Sequence, residues 1–244
     1  MTMRQEPAQI DVSVVIPTRG RTRLLASTLG TVLWQRDVDF EVVVVDDGSS
    51  DDTGEVVAGL GDTRVRLVRH PTALGVSAAR NRGIAEARGA WVAFLDDDDL
   101  WAPDKLARQL QAAQHAGRAW VYAGEVSVDE RLRVIDGGPP APPEQVVELL
   151  ERHNAVPAGA SNVMVRADAL ARAGSFDTRL RNNEDWDMWI RLARLGAPAW
   201  VSRPLVALRI HSGNASRNMN RMLQELDVIE RRPMKRSPRR RCLP

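Results

Sequence analysis

The chain has one cysteine among its 244 residues, Cys242. A lone thiol excludes an internal disulfide and any cysteine-based metal cluster. No apolar run approaches the roughly 18–20 residues that cross a bilayer. Met1 to Gln9 is polar and lacks the apolar stretch of a secretory signal, so a cytoplasmic location is expected. Acids are absent from residues 231–244, which carry Arg231, Arg232, Lys235, Arg236, Arg239, Arg240 and Arg241. The net charge of +2 therefore leaves residues 1–230 at −5, and the basic character belongs to the tail rather than to a nucleic-acid-binding face. With three prolines and almost no hydrophobes, that tail is expected to be disordered. It reads either as a solvated terminus or as an anchor on anionic lipid, where each basic residue contributes about 1 kcal/mol.

What is present is ordinary for a globular protein: 43% hydrophobic and 27% charged residues. A chain of this length buries roughly 70% or more of its unfolded surface. Val12 to Ile16 is an apolar run stopped by Pro17, which suits a buried parallel strand. Leu24, Leu25, Leu29, Val32 and Leu33 then recur at helical spacing. Phe40 to Val45, Val65 to Val68, Ala90 to Leu95 and Ala119 to Tyr122 read as further strands. Helices are expected from near Asp51, over Val76 to Arg88, and over Pro103 to His115. This alternation predicts an α/β fold, a Rossmann-like, mostly parallel central sheet with helices on both faces. Ligands in such sheets sit beyond the carboxyl ends of the strands.

Gly137 to Pro143 is dense in turn formers and reads as a flexible loop between two halves. Beyond it, helices are expected at Glu144 to His153, Ala167 to Arg172 and Trp186 to Leu195. A short apolar stretch covers Asn162 to Val165, and a last strand covers Trp200 to Ile210.

Two of the expected strands end in acids. Asp96 to Asp99 follows a wholly apolar strand, and four adjacent carboxylates repel one another unless neutralised. A divalent cation, Mn²⁺ or Mg²⁺, suits such hard oxygens and could bridge the phosphates of a nucleotide diphosphate. Asp99 and Asp104 could instead cap the next helix. Asp46-Asp47 could accept a hydrogen bond from a uracil or thymine imide or a ribose hydroxyl, or could simply form a turn. Pro17, Thr18 and Arg19 could face a base, and Arg80 and Asn81 could meet the nucleotide or the acid loop. Glu184-Asp185 opens an amphipathic helix. It is a cap, worth about 0.3–1 kcal/mol, or it contains a general base. His211 closes the last strand and is either structural or a metal or diphosphate contact.

Taken in order, VSVVIPTRGR, FEVVVVDDGSSDDT, GVSAARNRGIAEARGAWVAFLDDDD, GSFDTRL, NEDWDMWIRLA and LRIHSGNAS resemble glycosyltransferase family 2, the inverting family with the GT-A fold. The resemblance covers roughly residues 11–217, with a nucleotide-binding half to about 125 and an acceptor half from about 145. Residues 1–10 would be an extension, and 218–244 a helix and the tail. It implies that Asp47 reads the nucleobase and that the family's Asp-x-Asp falls on Asp96 and Asp98. Asp96 would contact ribose or metal and Asp98 would ligate the metal, while four consecutive aspartates leave Asp97 able to take either place. It also implies Asp185 as the catalytic base and His211 as the terminal histidine. Ser161, within Gly159 to Val163, would lie on the acceptor side beside Glu184 and Trp186.

The expected activity is that of an inverting, hexosyltransferase-type enzyme (EC 2.4). It would move a sugar from a nucleotide-diphosphate donor, by analogy a UDP-sugar, to a glycan, lipid-linked sugar, small metabolite or peptide. Neither membrane helices nor a Gln-x-x-Arg-Trp segment is present, which disfavours polymer synthesis of the cellulose or chitin type. A nucleotidyltransferase would want a glycine-rich loop after the first strand, where Pro17 to Arg21 supplies one glycine. A phosphatase would want Asp-x-Asp there. A catalytically silent sugar-nucleotide-binding protein is the remaining alternative, and retention of Asp185 and the acid loop argues against it.

Overall fold

The computed structural model describes residues 10–214 and 219–230. Its elements run β1 (Val12–Thr18), α1 (Thr22–Leu33), β2 (Phe40–Asp46), α2 (Thr53–Gly59), β3 (Val65–Arg69), α3 (Val76–Glu86) and β4 (Trp91–Phe94). Then come β5 (Leu100–Trp101), α4 (Lys105–Ala116), β6 (Trp120–Val128), β7 (Val134–Gly138), α5 (Pro143–Leu149) and a 3-10 turn (Gly159–Asn162). The chain continues through β8 (Met164–Arg166), α6 (Ala167–Ala173), α7 (Glu184–Leu195), β9 (Ala199–Arg209) and α8 (Met219–Glu230).

The sheet order is β3-β2-β1-β4-β8-β6-β9-β5, with β7 paired to β6. The first four neighbours are parallel, as the alternation of strands and helices predicts. The parallel run stops there. β8, from the second half of the chain, inserts antiparallel between β4 and β6. Gly137-Gly138 also departs from the expected loop: it ends β7, which pairs with β6 as a hairpin. Backbone pairing overrides the turn propensity of those glycines.

β1 and β2 are buried along their whole length, so alternate side chains feed separate cores on the two faces. Val14 and Ile16 meet Leu25, Leu29 and Val32 of α1 on one face, together with Leu106 of α4. Val15, Val92 and Phe94 meet Leu170, Trp189, Leu192 and Ile229 on the other. There Trp189 stacks on Trp120 with centroids 6.3 Å apart, and Phe176 lies edge-on to Phe94 at 5.3 Å. Each such fully buried large side chain contributes roughly 1.5–3 kcal/mol. α3 lies close on β1 because Gly83 has no side chain: a Cβ there would fall 2.2 Å from Val15.

Parallel register brings the strand ends together. Thr18 is level with Asp46, and Val15 with Phe94. The acids after β2 and β4 therefore emerge along the same edge as Thr18. No described helix is long and apolar enough to cross a membrane.

Candidate active site

A cleft of about 620 Å³ opens at that edge, within the range of small-molecule sites. Pro17, Thr18, Arg19, Asp47, Arg80, Asp96, Asp97, Asp98, Glu184 and Asp185 all line it. Residues far apart in sequence thus meet in one place, and the cleft sits where strand topology puts ligands.

The four aspartates point in different directions. Asp96 has the most exposed carboxylate, 37% accessible, and takes a 2.6 Å hydrogen bond from Arg80 Nη2. Asp97 turns to β1, where Thr18 Oγ1 donates to it at 2.6 Å and Arg21 Nη1 at 3.2 Å. Burial, then the neighbouring Asp98, pushes its carboxyl up to about 6 despite those donors. Asp98 Oδ2 lies 2.8 Å from Arg21 Nη1 and 2.9 Å from His211 Nε2. Asp99 points inward and is held by Ser161 Oγ (2.5 Å) and the Arg209 amide (2.9 Å). Its burial and the charges of Asp98 and Asp96 raise its carboxyl well above the usual range. Thr28 Oγ1 ties down the loop carbonyls of Asp97 and Asp99. Asp99 is thus tied into the loop, Asp96 has the most open carboxylate, and Asp98 is the one that meets His211.

No cluster of three or more His, Cys, Asp or Glu side chains forms a ready-made metal centre among the described residues. The donor set still fits a hard divalent cation. Such ions are commonly held by one or two carboxylates with substrate phosphates completing the shell, and Asp98 and His211 converge within hydrogen-bond distance. Arg21 pairs with Asp97 and Asp98, and it also donates to the Gly213 carbonyl at 2.6 Å. Its role was not read from the sequence. Its place two residues after Arg19, opposite an acid run, is the signal that could have pointed to it.

Asp47 is engaged on both oxygens. Oδ1 accepts from His70 Nδ1 (2.8 Å) and the Leu74 amide (2.9 Å), and Oδ2 accepts from the Gly75 amide (2.8 Å). Burial pushes its carboxyl up, but these hydrogen bonds outweigh it and hold the group below the usual range. Oδ2, with one bond, retains a lone pair for a further donor. Asp46 lies beneath, buried, and caps the turn through the Ser49 amide.

Arg80 links the two sides of the cleft. Its buried guanidinium donates to Glu184 Oε1 at 2.5 Å and to Asp96 at 2.6 Å, and it lies over the Phe176 ring. Asn81, by contrast, clamps the Phe176 backbone through both its amide atoms and does not face the cleft. Asp185 begins the first turn of α7. Burial, then the adjacent Glu184 charge, pushes its carboxyl up to about 7 against the pull of Arg80. Asn154 Nδ2 donates to its Oδ2 at 2.9 Å.

Gly159 (φ +49°) leaves the space for that carboxylate, since a Cβ there would sit 2.6 Å from Asp185 Oδ2. Gly159→Ala is expected to push the carboxylate aside and lower turnover by roughly tenfold or more, because small misplacements cost up to about 10²-fold. The melting temperature should fall only modestly. Steady-state kinetics beside thermal unfolding tests this, and unchanged turnover contradicts it.

Of the residues expected on the acceptor side, Glu184 lines the cleft and Ser161 and Trp186 do not. Ser161 is fully buried beneath the acid loop, where it joins Asp99 to the Asp96 amide. Trp186 turns into the core and donates its indole N–H to the Leu150 carbonyl at 2.8 Å. At helical spacing the residue after an outward-facing Asp185 points about 100° away from it, toward the core.

The fold is a GT-A-type architecture. The family model for "Glycosyl transferase family 2" matches residues 13–172, and the chain belongs to that family. It is 24% identical over 236 residues to the Escherichia coli UDP-Glc:alpha-D-GlcNAc-diphosphoundecaprenol beta-1,3-glucosyltransferase WfaP, covering 95% of this chain and 90% of WfaP. Staphylococcus aureus TarS 1-349 in complex with UDP-GlcNAc superposes with a TM-score of 0.71 at 20% identity, covering 86% of this chain and 61% of that one. The mannosyltransferase PcManGT of Pyrobaculum calidifontis, in complex with GDP-Man and Mn²⁺, gives 0.66 at 23% identity, covering 89% and 62%. Other curated relatives are longer, and the chain spans only 31–33% of four of them.

Proposed function

We propose that this chain is an inverting, metal-assisted hexosyltransferase that uses a nucleotide-diphosphate sugar, with UDP-glucose or a related UDP-sugar as donor. The observation that carries the reading is the placement of Asp96 and Asp98 on one side of a single cleft and Asp185 on the other, with Arg80 joining the sides. The base half of the donor lies against Pro17, Thr18, Arg19 and Asp47. The free lone pair on Asp47 Oδ2 accepts an imide N–H. Thr18 contributes through its backbone, since its hydroxyl is committed to Asp97.

Asp98 and His211, with Asp96 beside them, would hold Mn²⁺ or Mg²⁺. The ion supplies charge neutralisation to the leaving diphosphate. Asp185 takes the proton from an acceptor hydroxyl as the oxygen forms its bond to the anomeric carbon. The bond from that carbon to the diphosphate oxygen breaks with the electron pair leaving on the nucleotide, and the configuration inverts. A carboxyl titrating near 7 is matched to this task at neutral pH.

The name of WfaP supports a lipid-linked sugar as the first acceptor to test. The basic run 231–244, outside the described residues, would then favour an anionic membrane surface. The decisive assay is a panel of nucleotide sugars with Mn²⁺, scored for nucleotide release. Release from one donor class supports the reading, and none from any donor leaves a silent binding protein.

Asp98→Ala is expected to weaken UDP binding in the presence of Mn²⁺ by at least the roughly 10–100-fold that loss of an outer-shell partner costs a metal site. UDP affinity measured in EDTA should change far less. Calorimetry with and without Mn²⁺ reads both numbers, and equal affinities for variant and wild type with the metal present would refute the ligand role.

A further inference from the structure

The helix expected beyond residue 217 is α8, and it packs onto the core of the sheet. Ile229 is buried in the same core as Trp189, with Leu226 and Val228 packed beside it, and Met222 lines the cleft. One side chain of α8 is out of keeping with that apolar face. Glu225 is 7% exposed, and no cation is paired with its carboxylate among the described residues.

Its main partners are three consecutive backbone amides just ahead of α7, with Asn183 Nδ2 a longer contact at 3.5 Å. Oε1 accepts from Arg181 N (2.9 Å), and Oε2 accepts from Asn182 N (3.0 Å) and Asn183 N (3.1 Å). Asn183 Nδ2 returns a bond to the Met222 carbonyl at 3.0 Å. The first turn of α7, which carries Glu184 and Asp185, has no side-chain cap from Asn183. A helix start leaves amides that need acceptors. Here the acceptor for the approach to the helix comes from an element more than forty residues away.

Charge makes this cap directional. A carboxylate facing a row of N–H groups forms charge-assisted bonds, which are roughly twice as strong as neutral ones. It therefore fixes the angle at which the chain enters α7, and with it the aim of Glu184 and Asp185. The Cα of Asp185 lies only two residues beyond the last amide that Glu225 holds. The segment leading toward α8 grips the opposite wall, where His211 meets Asp98 and the Gly213 carbonyl meets Arg21. Contacts from the final described segments thus reach both the donor acids and the loop before the base.

We infer that Glu225 is a positioning residue of the transfer reaction: by holding the amides of residues 181–183, it aims Asp185 at the acceptor. The inference rests on the transferase reading above. Glu225 is not placed among the reacting atoms and acts through the segment 181–183 that it binds.

The test uses the full-length chain as E225A, the isosteric E225Q and the shorter E225D. Nucleotide release from UDP-glucose with Mn²⁺ gives kcat and KM, calorimetry gives the UDP affinity, and amide hydrogen exchange reads residues 181–183. Expected for E225A is a kcat lowered by roughly tenfold to a hundredfold, UDP affinity within about twofold of wild type and faster exchange at 181–183. E225Q should be intermediate, because it keeps one carbonyl acceptor, and E225D should recover part of the loss. The inference is overturned if exchange at 181–183 is unchanged. It is equally overturned if kcat is unchanged, or if kcat and UDP affinity fall together with the melting temperature in all three variants. A wild-type chain inert with every nucleotide sugar removes the transferase reading and this role with it. An active wild type with an equally active E225A removes only the role of Glu225.

Discussion

Replacing Asp185 with asparagine is expected to cut turnover by roughly 10²–10⁴-fold, the contribution of a positioned general base, while leaving UDP affinity intact. Asparagine keeps the size of the side chain and one oxygen, which can accept from either the Asn154 amide or the Trp186 N–H but not both, so the side chain stays in place while one hydrogen bond and the proton acceptor are lost. The pH dependence follows from the same group. The Asp185 carboxyl titrates near 7, faced by Glu184, Arg80 and Asp96. The wild-type kcat/KM should rise as pH increases through about 7 and level off above it. D185N should lose that limb.

Stability moves the other way. An unfolded aspartate titrates at about 3.9, so between there and 7 the folded chain holds a proton that the unfolded chain releases. Folding is therefore weakened as pH rises through that window. D185N removes that pH-dependent cost, so the melting temperature of wild type relative to D185N should fall as pH rises from about 4 to 8. Near-normal turnover in D185N would end the base assignment.

The second large effect is expected at Arg80. Arg80→Met removes the cation between Glu184 and Asp96. Asp96 can turn toward solvent, but Glu184 is 5% exposed and would be left as a buried charge without its partner. Breaking a buried pair in this way costs about 3–5 kcal/mol, which for a domain of this size is a drop of roughly 6–20 °C in melting temperature. Adding Glu184→Gln removes the stranded charge, so R80M/E184Q should recover most of the stability. Thermal unfolding of the two single variants and the double variant closes the cycle. Additive losses, with no recovery in the double variant, would show that the pair is not coupled as the 2.5 Å contact implies. Activity should not recover in the double variant, since Arg80 also holds Asp96 on the donor side.

Much of this architecture is written locally. The apolar runs of β1, β2 and β4, the helical spacing of α1 and the acids at two strand ends needed no knowledge of distant residues. Apolar burial and the 2.0 and 3.6 periodicities act over a few positions. These features located the carboxyl edge of the sheet, and with it Asp47, Asp96, Asp98 and the start of α7. The order of the six motifs then pointed to the family that the family-model match identifies.

Contacts between residues far apart in the chain were decided only by tertiary structure. The insertion of β8 between β4 and β6 depends on backbone pairing between segments about seventy residues apart. The four aspartates are identical in sequence, yet Thr18 and Arg21 claim Asp97, His211 claims Asp98 and Ser161 claims Asp99. Ser161 and Trp186 do not line the cleft, because packing, not sequence proximity, sets which way a side chain faces. Glu225 carries no local signal at all, being one acid on an amphipathic helix. Its meaning arises when the fold places three amides in front of it.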